Sequence, residues 1–410
     1  MNILIITNPI RIDLYNYLKT DKDNFYEVLW FENIKEFEKT ETKLDNLFIN
    51  QHFWNDYSTP KKLLSTIRPE RIIFTEIIDQ REIALIVAAN YLNITTFYLE
   101  HGSAGDKETA IKRQYSSFAD KMIRLKRVFL KSLFTSFFNV IRVKFFYYSN
   151  IIRFNSFQLF YNYCKLPFLM LWHLPNKALS LCVFRERVPK YSIVFNELNF
   201  EEYQLYTGIS KAEALFTGLP FFDSYYQSNL ITDNHIVYIE HPMLESNLLE
   251  WNKQHHKKIA EALLNFAKKN KVKLYVKLHP ISDMSLWDPY KNISPFFEII
   301  QFGDYMKLYL SSKLIIGYSS SLITGFLCSK KNIVNIGWHP TPQIFGVNFS
   351  DYNICHQSLN VEDLESSFDY WINHNLTELN KNDYCNFISL FNNPFDGKAT
   401  ERVINCFKYV

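Results

Sequence analysis

Three short runs in this 410-residue chain set acid–base or anion-binding side chains where an apolar run stops. The first, Tyr98-Leu99-Glu100-His101-Gly102-Ser103, follows the apolar run 95–99. Either Glu100 or His101 could remove a proton from an attacking hydroxyl, and Gly102 permits a sharp turn beside a ligand. Taken alone, the triplet also suits a loop histidine satisfied by its neighbours. The second, Tyr275-Val276-Lys277-Leu278-His279-Pro280, ends a strand-like run with an imidazole whose backbone Pro280 fixes. Such a histidine can donate to a phosphate oxygen or a departing anion. It could equally close an ordinary strand. The third is Gly317-Tyr318-Ser319-Ser320-Ser321, just before a helical pattern. A helix start offers unpaired N–H groups and a positive dipole end, and the hydroxyls add donors, which makes a metal-free phosphate cradle. A serine N-cap is the other reading.

Two further runs resemble loops lining a ligand cleft. Thr217-Gly218-Leu219-Pro220 closes the first half of the chain, and Glu240-His241-Pro242, with Glu245 beyond, follows the first apolar run of the second half. An ordinary turn between domains would also account for them.

Strand–helix alternation positions these runs. Residues 2–7, 26–30, 71–75 and 95–99 read as strands, with helices at 12–19 and 81–92. After residue 230 the rhythm returns: strands at 236–239, 273–277, 313–318 and 332–336, helices at 248–269, 304–312 and 322–328. Near-continuous apolar strands alternating with helices imply parallel sheets covered on both faces, with ligands at the carboxyl ends of the strands. The expected class is α/β, two Rossmann-like domains facing a cleft. The boundaries are 1–228 for the first domain, 229–390 for the second, and 391–410 for a C-terminal helix.

The first domain carries an insertion, about 121–188. From Lys121 to Arg185 there are eleven Lys or Arg and no Asp or Glu, interleaved with aromatic clusters such as Phe145-Phe146-Tyr147-Tyr148. Basic and aromatic residues on amphipathic helices suit an anionic bilayer surface, and a helical hairpin packed on the first domain is the alternative. A nucleic-acid face is disfavoured by the apolar content, and the net charge of +3 adds no argument for one.

Composition excludes other classes. Hydrophobic residues at 47% and charged residues at 21% fit a folded chain, and ten glycines exclude glycine-repeat architectures. Six scattered cysteines without ligand spacing read as reduced thiols. No apolar run reaches the ~18–20 residues a spanning helix needs, and the N-terminal run reads as a strand rather than a leader, so a cytoplasmic protein is expected. P-loop and dinucleotide fingerprints are missing from the sequence. Asp21-Lys22-Asp23 could mimic a metal-binding carboxylate pair, but a solvated turn is the better reading.

The order Glu-His-Gly-Ser, Thr-Gly-x-Pro-x-x-Asp, Lys-Leu-His-Pro and a serine run resembles bacterial GT-B glycosyltransferases. More narrowly it resembles the sialyltransferase and polysialyltransferase-like capsule group, which implies an acceptor domain at 1–228, a nucleotide-donor domain at 229–390 and a C-terminal helix, 391–410, crossing back. The resemblance implies Glu100 as catalytic base, His279 assisting the departing CMP phosphate, and Ser319 and Ser320, with Ser321 adjacent, binding that phosphate beside Gly317, Lys277 and Pro280. It implies an inverting, metal-independent transfer of an acidic sugar from a CMP-sugar to a surface glycan, with no cofactor. A His-Gly pair at positions 101–102 is similar instead to CDP-glycerol and CDP-ribitol phosphotransferases, in which the histidine is the presumed base. Polyol-phosphate transfer is therefore the rival activity, and a non-catalytic membrane scaffold the third reading. The resemblance further implies a lipid-linked glycan acceptor at the inner face of the cytoplasmic membrane.

Overall fold

The computed structural model describes residues 1–7, 15, 17–31, 47–100, 137–226, 232–246, 248–303, 305–390 and 395–409, without the side chains of 137, 198, 321 and 409. The chain divides into two compact units, Met1–Phe221 with Lys398–Val410, and Phe222–Gly397.

The first unit is built on a seven-stranded sheet in the order β3-β2-β1-β4-β5-β6-β7. Its strands are β1 (Asn2–Ile6), β2 (Phe25–Trp30), β3 (Phe48–Phe53), β4 (Arg71–Phe74), β5 (Thr95–Leu99), β6 (Tyr191–Val194) and β7 (Ala214–Phe216). Every pairing is parallel. Apolar side chains on both faces of β1, β4 and β5 are buried, as a sheet covered on both sides requires. Helix α1 (Pro60–Ile67) and helix α2 (Gln80–Tyr91) follow β3 and β4. Asp79 starts α2 with a capping box: its carboxylate accepts from the Arg81 N–H, and Glu82 reaches back to the Asp79 N–H at 2.8 Å.

Helix α2 is buried along nearly its whole length, Ile83 through Ala89, because the insertion covers its outer side. The insertion's described part is helix α3 (Phe137–Tyr148), helix α4 (Phe157–Trp172) and helix α5 (Pro175–Ser180). A reciprocal tyrosine pair locks α3 to α4. The rings of Tyr147 and Tyr163 stack at 4.0 Å, and each hydroxyl donates to the other's backbone carbonyl at 2.9 Å. Asn150 Nδ2 donates to the Ala84 carbonyl of α2 at 2.9 Å, pinning the hairpin onto the domain. The packed-hairpin reading is thus correct for the inner face. Helix α6 (Glu197–Thr207) then precedes β7 and ends at Gly208 in a left-handed turn.

The second unit holds a six-stranded sheet in the order β10-β9-β8-β11-β12-β13, again all parallel. The strands are β8 (His235–Ile239), β9 (Lys273–Lys277), β10 (Phe297–Ile300), β11 (Leu314–Gly317), β12 (Ile333–Ile336) and β13 (His356–Ser358). Helices α7 (Lys253–Asn270), α8 (Met306–Ser311) and α9 (Ser321–Cys328) connect them. Four short helices follow between Asp363 and Ser389. The last helix, α10 (Ala399–Tyr409), belongs to the first unit. There Phe407 meets Phe97 edge to face at 5.5 Å, and Lys408 pairs with Asp23 at 2.6 Å.

Each sheet runs outward from its first strand and then jumps back to the other side of it, the doubly wound pattern. This is the α/β class expected. Helix α7 begins five residues later than the expected 248, because Leu249 and Glu250 take left-handed backbone (φ +52° and +59°) and Asn252 supplies the cap, accepting from the His255 N–H. Asp21-Lys22-Asp23 forms a turn: Asp21 accepts from the Asp23 N–H, Asn24 and the Tyr26 hydroxyl, a full set of structural partners. Much of the expected helix at 12–19 lies outside the described residues.

Candidate functional site

In the first unit, the candidate base stands at the carboxyl end of β5. The Glu100 N–H donates to the Ile193 carbonyl at 3.1 Å, which carries the β5–β6 pairing one residue further and fixes the side chain over β6. Glu100 is 6% exposed. Its Oε2 accepts from the Phe195 N–H at 2.7 Å, and the Asn199 side chain adds a second hydrogen bond. Helix α6 supplies that partner: Asn196 caps the helix through the Asn199 N–H, and Tyr203 stacks on Tyr98 at 4.3 Å. Burial pushes the Glu100 carboxyl up to about 8; the two hydrogen bonds oppose the rise and the nearby Glu202 charge adds to it. A carboxylate titrating near neutral pH is a capable proton acceptor. His101, Gly102 and Ser103 lie outside the described residues.

Gly218 and Pro220 serve packing in this unit. Gly218 holds φ +75°, and an added Cβ would stand 3.4 Å from Ala399 and Arg402 of α10. Arg402 Nε donates to the Thr217 carbonyl at 2.7 Å, so α10 clamps this turn, and Pro220 is buried.

In the second unit, β8, β9, β11 and β12 all end on the same edge, because the sheet is parallel throughout. The chain switches direction between β8 and β11, the place where doubly wound sheets bind ligands. Two His-Pro pairs stand on one side of it. His241 follows β8 and His279 follows β9, their rings nearly parallel with centroids 6.3 Å apart. Two carboxylates bind the loops together. Glu240 Oε2 accepts from the His279 N–H at 3.1 Å and the Ser282 hydroxyl at 2.5 Å, and Glu245 accepts from the Asp283 N–H at 2.6 Å. Gln301 closes the turn from the other side, donating to the carbonyls of His279 and Ser282 at 3.1 and 2.9 Å.

This frame sets the tautomer of His279. Its Nδ1 accepts from the Ile281 N–H at 3.3 Å, so the neutral ring carries its proton on Nε2. The ring is exposed at the edge of the sheet, as is Pro280. Burial raises the Glu240 carboxyl above its usual range, while its bonds to Ser282 and His279 hold it down. Lys277 bends its amine onto the Leu278 carbonyl, and burial lowers its pKa despite Glu240. The lysine and both glutamates thus shape the His279 loop.

Beside them, β11 passes through Gly317 into α9. A Cβ on Gly317 would fall 2.9 Å from Ile323 and 3.1 Å from Ile239, so only glycine lets the start of α9 lie this close to β8. Ser320 is the N-cap: its Oγ accepts from the Ile323 N–H at 3.4 Å. Ser319, half-buried, approaches Gly346, whose left-handed backbone (φ +91°) would carry a Cβ 3.2 Å from the Ser319 hydroxyl. The side chain of Ser321 is outside the description. The cap reading of Ser320 and the phosphate-cradle reading are compatible, since a capped start still presents the dipole and its remaining N–H groups.

A third His-Pro pair escaped the sequence reading. Trp338-His339-Pro340 follows β12 on the same edge. His339 is 2% exposed beneath Tyr318 and Trp251, and neither ring nitrogen has a hydrogen-bond partner. Burial first, with smaller contributions from His255 and His241, lowers its pKa to about 4. The signal was present: apolar strand, then His-Pro, recurs at the ends of β8, β9 and β12.

No curated protein matches the chain. Among solved structures, it is similar to UDP-GlcNAc 2-epimerase from Methanocaldococcus jannaschii, solved with UDP-GlcNAc and UDP (13% identity, TM-score 0.52, all of both chains). It is also similar to the wall teichoic acid polymerase TagF (11% identity, TM-score 0.53, 99% of this chain and 88% of that one). A third neighbour is the glycotransferase of kitacinnamycin (10% identity, TM-score 0.50, 99% and 98%). At these identities the likeness carries the fold, which is GT-B. The family model for alpha-2,8-polysialyltransferase (POLYST) matches residues 2–303, well over half of the sequence, and the chain belongs to that family.

Proposed function

We propose that this glycosyltransferase, which acts on a glycan, moves an acidic sugar of the sialic-acid or Kdo type from a CMP-sugar to a surface polysaccharide with inversion and without a metal ion. Glu100, or His101, takes the proton of the acceptor hydroxyl. The acceptor oxygen bonds to the anomeric carbon as the bond from that carbon to the phosphate oxygen breaks, and the electron pair leaves on CMP. His279 donates from Nε2 to the phosphate. Ser319, Ser320, Ser321 and the first N–H groups of α9, beside Gly317, receive its charge. The acceptor is a lipid-linked glycan at the inner face of the cytoplasmic membrane, with the 121–185 segment against that surface.

The observation that carries this reading is the fixed tautomer of His279, a preorganised donor at the strand end next to the switch point. A donor panel tests it. Turnover with a CMP-sugar and none with CDP-glycerol is expected; the reverse pattern would establish polyol-phosphate transfer instead. If neither CMP nor CDP at millimolar concentration raises the melting temperature, the transferase reading fails.

A further inference from the structure

Helix α4 is apolar on two opposite sides. Leu159, Tyr163, Leu166 and Pro167 are buried against the domain, which accounts for one stripe. The other stripe, Phe157, Tyr161, Phe168 and Trp172, recurs at helical spacings of four and seven residues and faces solvent at 81, 52, 63 and 48% exposure. Helix α3 repeats the arrangement, with Phe146 and Tyr147 inside and Phe138, Ile141 and Phe145 outside, and Ile152 between the helices is 91% exposed. A helix apolar all round belongs in an interior, and contiguous exposed aromatics of this extent mark a docking surface.

The charges select the occupant. Residues 138–185 contain six Lys or Arg and no Asp or Glu, so a second copy of this face would meet like charge, whereas an anionic bilayer complements it. One of these bases borders the aromatic stripe: Lys165 lies over the ring of Tyr161 at 5.9 Å. No described helix is long and apolar enough to cross a membrane. A 16-residue helix such as α4 spans about 24 Å, which suits lying in the interface plane.

The hairpin also has a defined orientation on its domain. Lys144 donates to Gln80 Oε1 at 2.9 Å, Met170 Sδ lies 3.8 Å from Gln80 Nε2, and Arg142 bonds the Asn55 carbonyl. Gln80 and Asn55 follow β4 and β3, so the first turns of α3 and the last turns of α4 stand at the carboxyl edge of the sheet, the edge that ends in Glu100. The other end of the hairpin stacks Phe154 on Tyr91, at the far end of α2.

We infer that the outer faces of α3 and α4 insert side-on into the headgroup–acyl boundary of an anionic bilayer and bring the Glu100 edge to the headgroups. This deepens the membrane association proposed above by assigning it to specific side chains, and stands apart from the donor chemistry.

The full chain is tested by co-sedimentation with vesicles of phosphatidylglycerol and phosphatidylcholine, against the variant Phe145→Ser/Phe157→Ser/Phe168→Ser. Binding is expected to fall on the order of 10²-fold, with the melting temperature unchanged, because all three rings are largely exposed to solvent. The variant Arg153→Gln/Lys165→Gln/Lys177→Gln should weaken binding to anionic vesicles and flatten its salt dependence. Unchanged vesicle binding by the serine variant overturns the inference. So does a drop of several degrees in its melting temperature, which would mean the chain covers this face itself, or a wild-type dimer that the serine variant dissolves. No turnover of a CMP-sugar by a wild-type chain that binds the vesicles would count against the donor reading alone.

Discussion

At the residue scale, environment decides what each ionisable group can do. Glu100 is held near 8 because burial outweighs the two hydrogen bonds it receives. Its raised carboxyl makes two opposite demands on pH. The base form accumulates as pH rises, so kcat/KM should climb through about pH 8 and level off roughly one unit above. Folding stability runs the other way, fully present below the unfolded carboxyl value and lost as pH rises toward 8. Glu100→Gln should cost about 10²–10⁴ in kcat and abolish the climb; a variant that keeps the wild-type profile would assign the proton to another group. His339 carries the inverse signature. Its pKa falls from 6.5 to about 4, so the unfolded chain binds the extra proton, and stability present above pH 6.5 drains away as pH drops toward 4. The shift is worth on the order of 3 kcal/mol. His339→Phe should flatten that acid limb in urea titrations, leaving the smaller share of His256, whose pKa burial also lowers.

At the element scale, the junction of β11 and α9 separates two kinds of serine. Ser320→Ala should cost about 1 kcal/mol in stability, the usual worth of an N-cap. Ser319→Ala should leave stability alone and weaken nucleotide affinity; equal melting losses for both would remove Ser319 from phosphate binding. This junction was legible in the sequence because its residues are consecutive. So were the central strands β1, β4, β5, β8, β11 and β12, whose unbroken apolar runs follow from burial on both faces. The outer strands were not. The β3 run Phe-Ile-Asn-Gln-His-Phe is largely exposed at a sheet end, and β6, β7, β10 and β13 have only three or four residues each. Nor could the sequence show what tunes Glu100, because Phe195 and Asn199 lie about a hundred positions downstream and arrive through the β5–β6 pairing. The insertion was legible as basic and aromatic, but two opposed apolar stripes on one helix emerge only when the buried one is known.

At the scale of the whole molecule, the two units resemble each other in winding while differing in what completes them. The second closes on itself between Phe222 and Gly397. The first borrows α10, whose Val403 and Phe407 are fully buried, and whose Arg402 clamps the turn at Gly218. Phe407→Ala should destabilise this unit by about 3–5 kcal/mol, seen as faster hydrogen exchange in β5 and β6 with β8 and β9 unaffected; equal acceleration in both sheets would contradict the division. The borrowed helix has a consequence for biosynthesis. The second unit leaves the ribosome ahead of α10, so the earlier-made unit must wait with the ring of Phe97 uncovered until that helix follows. The half that is born first is the last to mature, and a stalled or clipped product would carry an open wound on its oldest part.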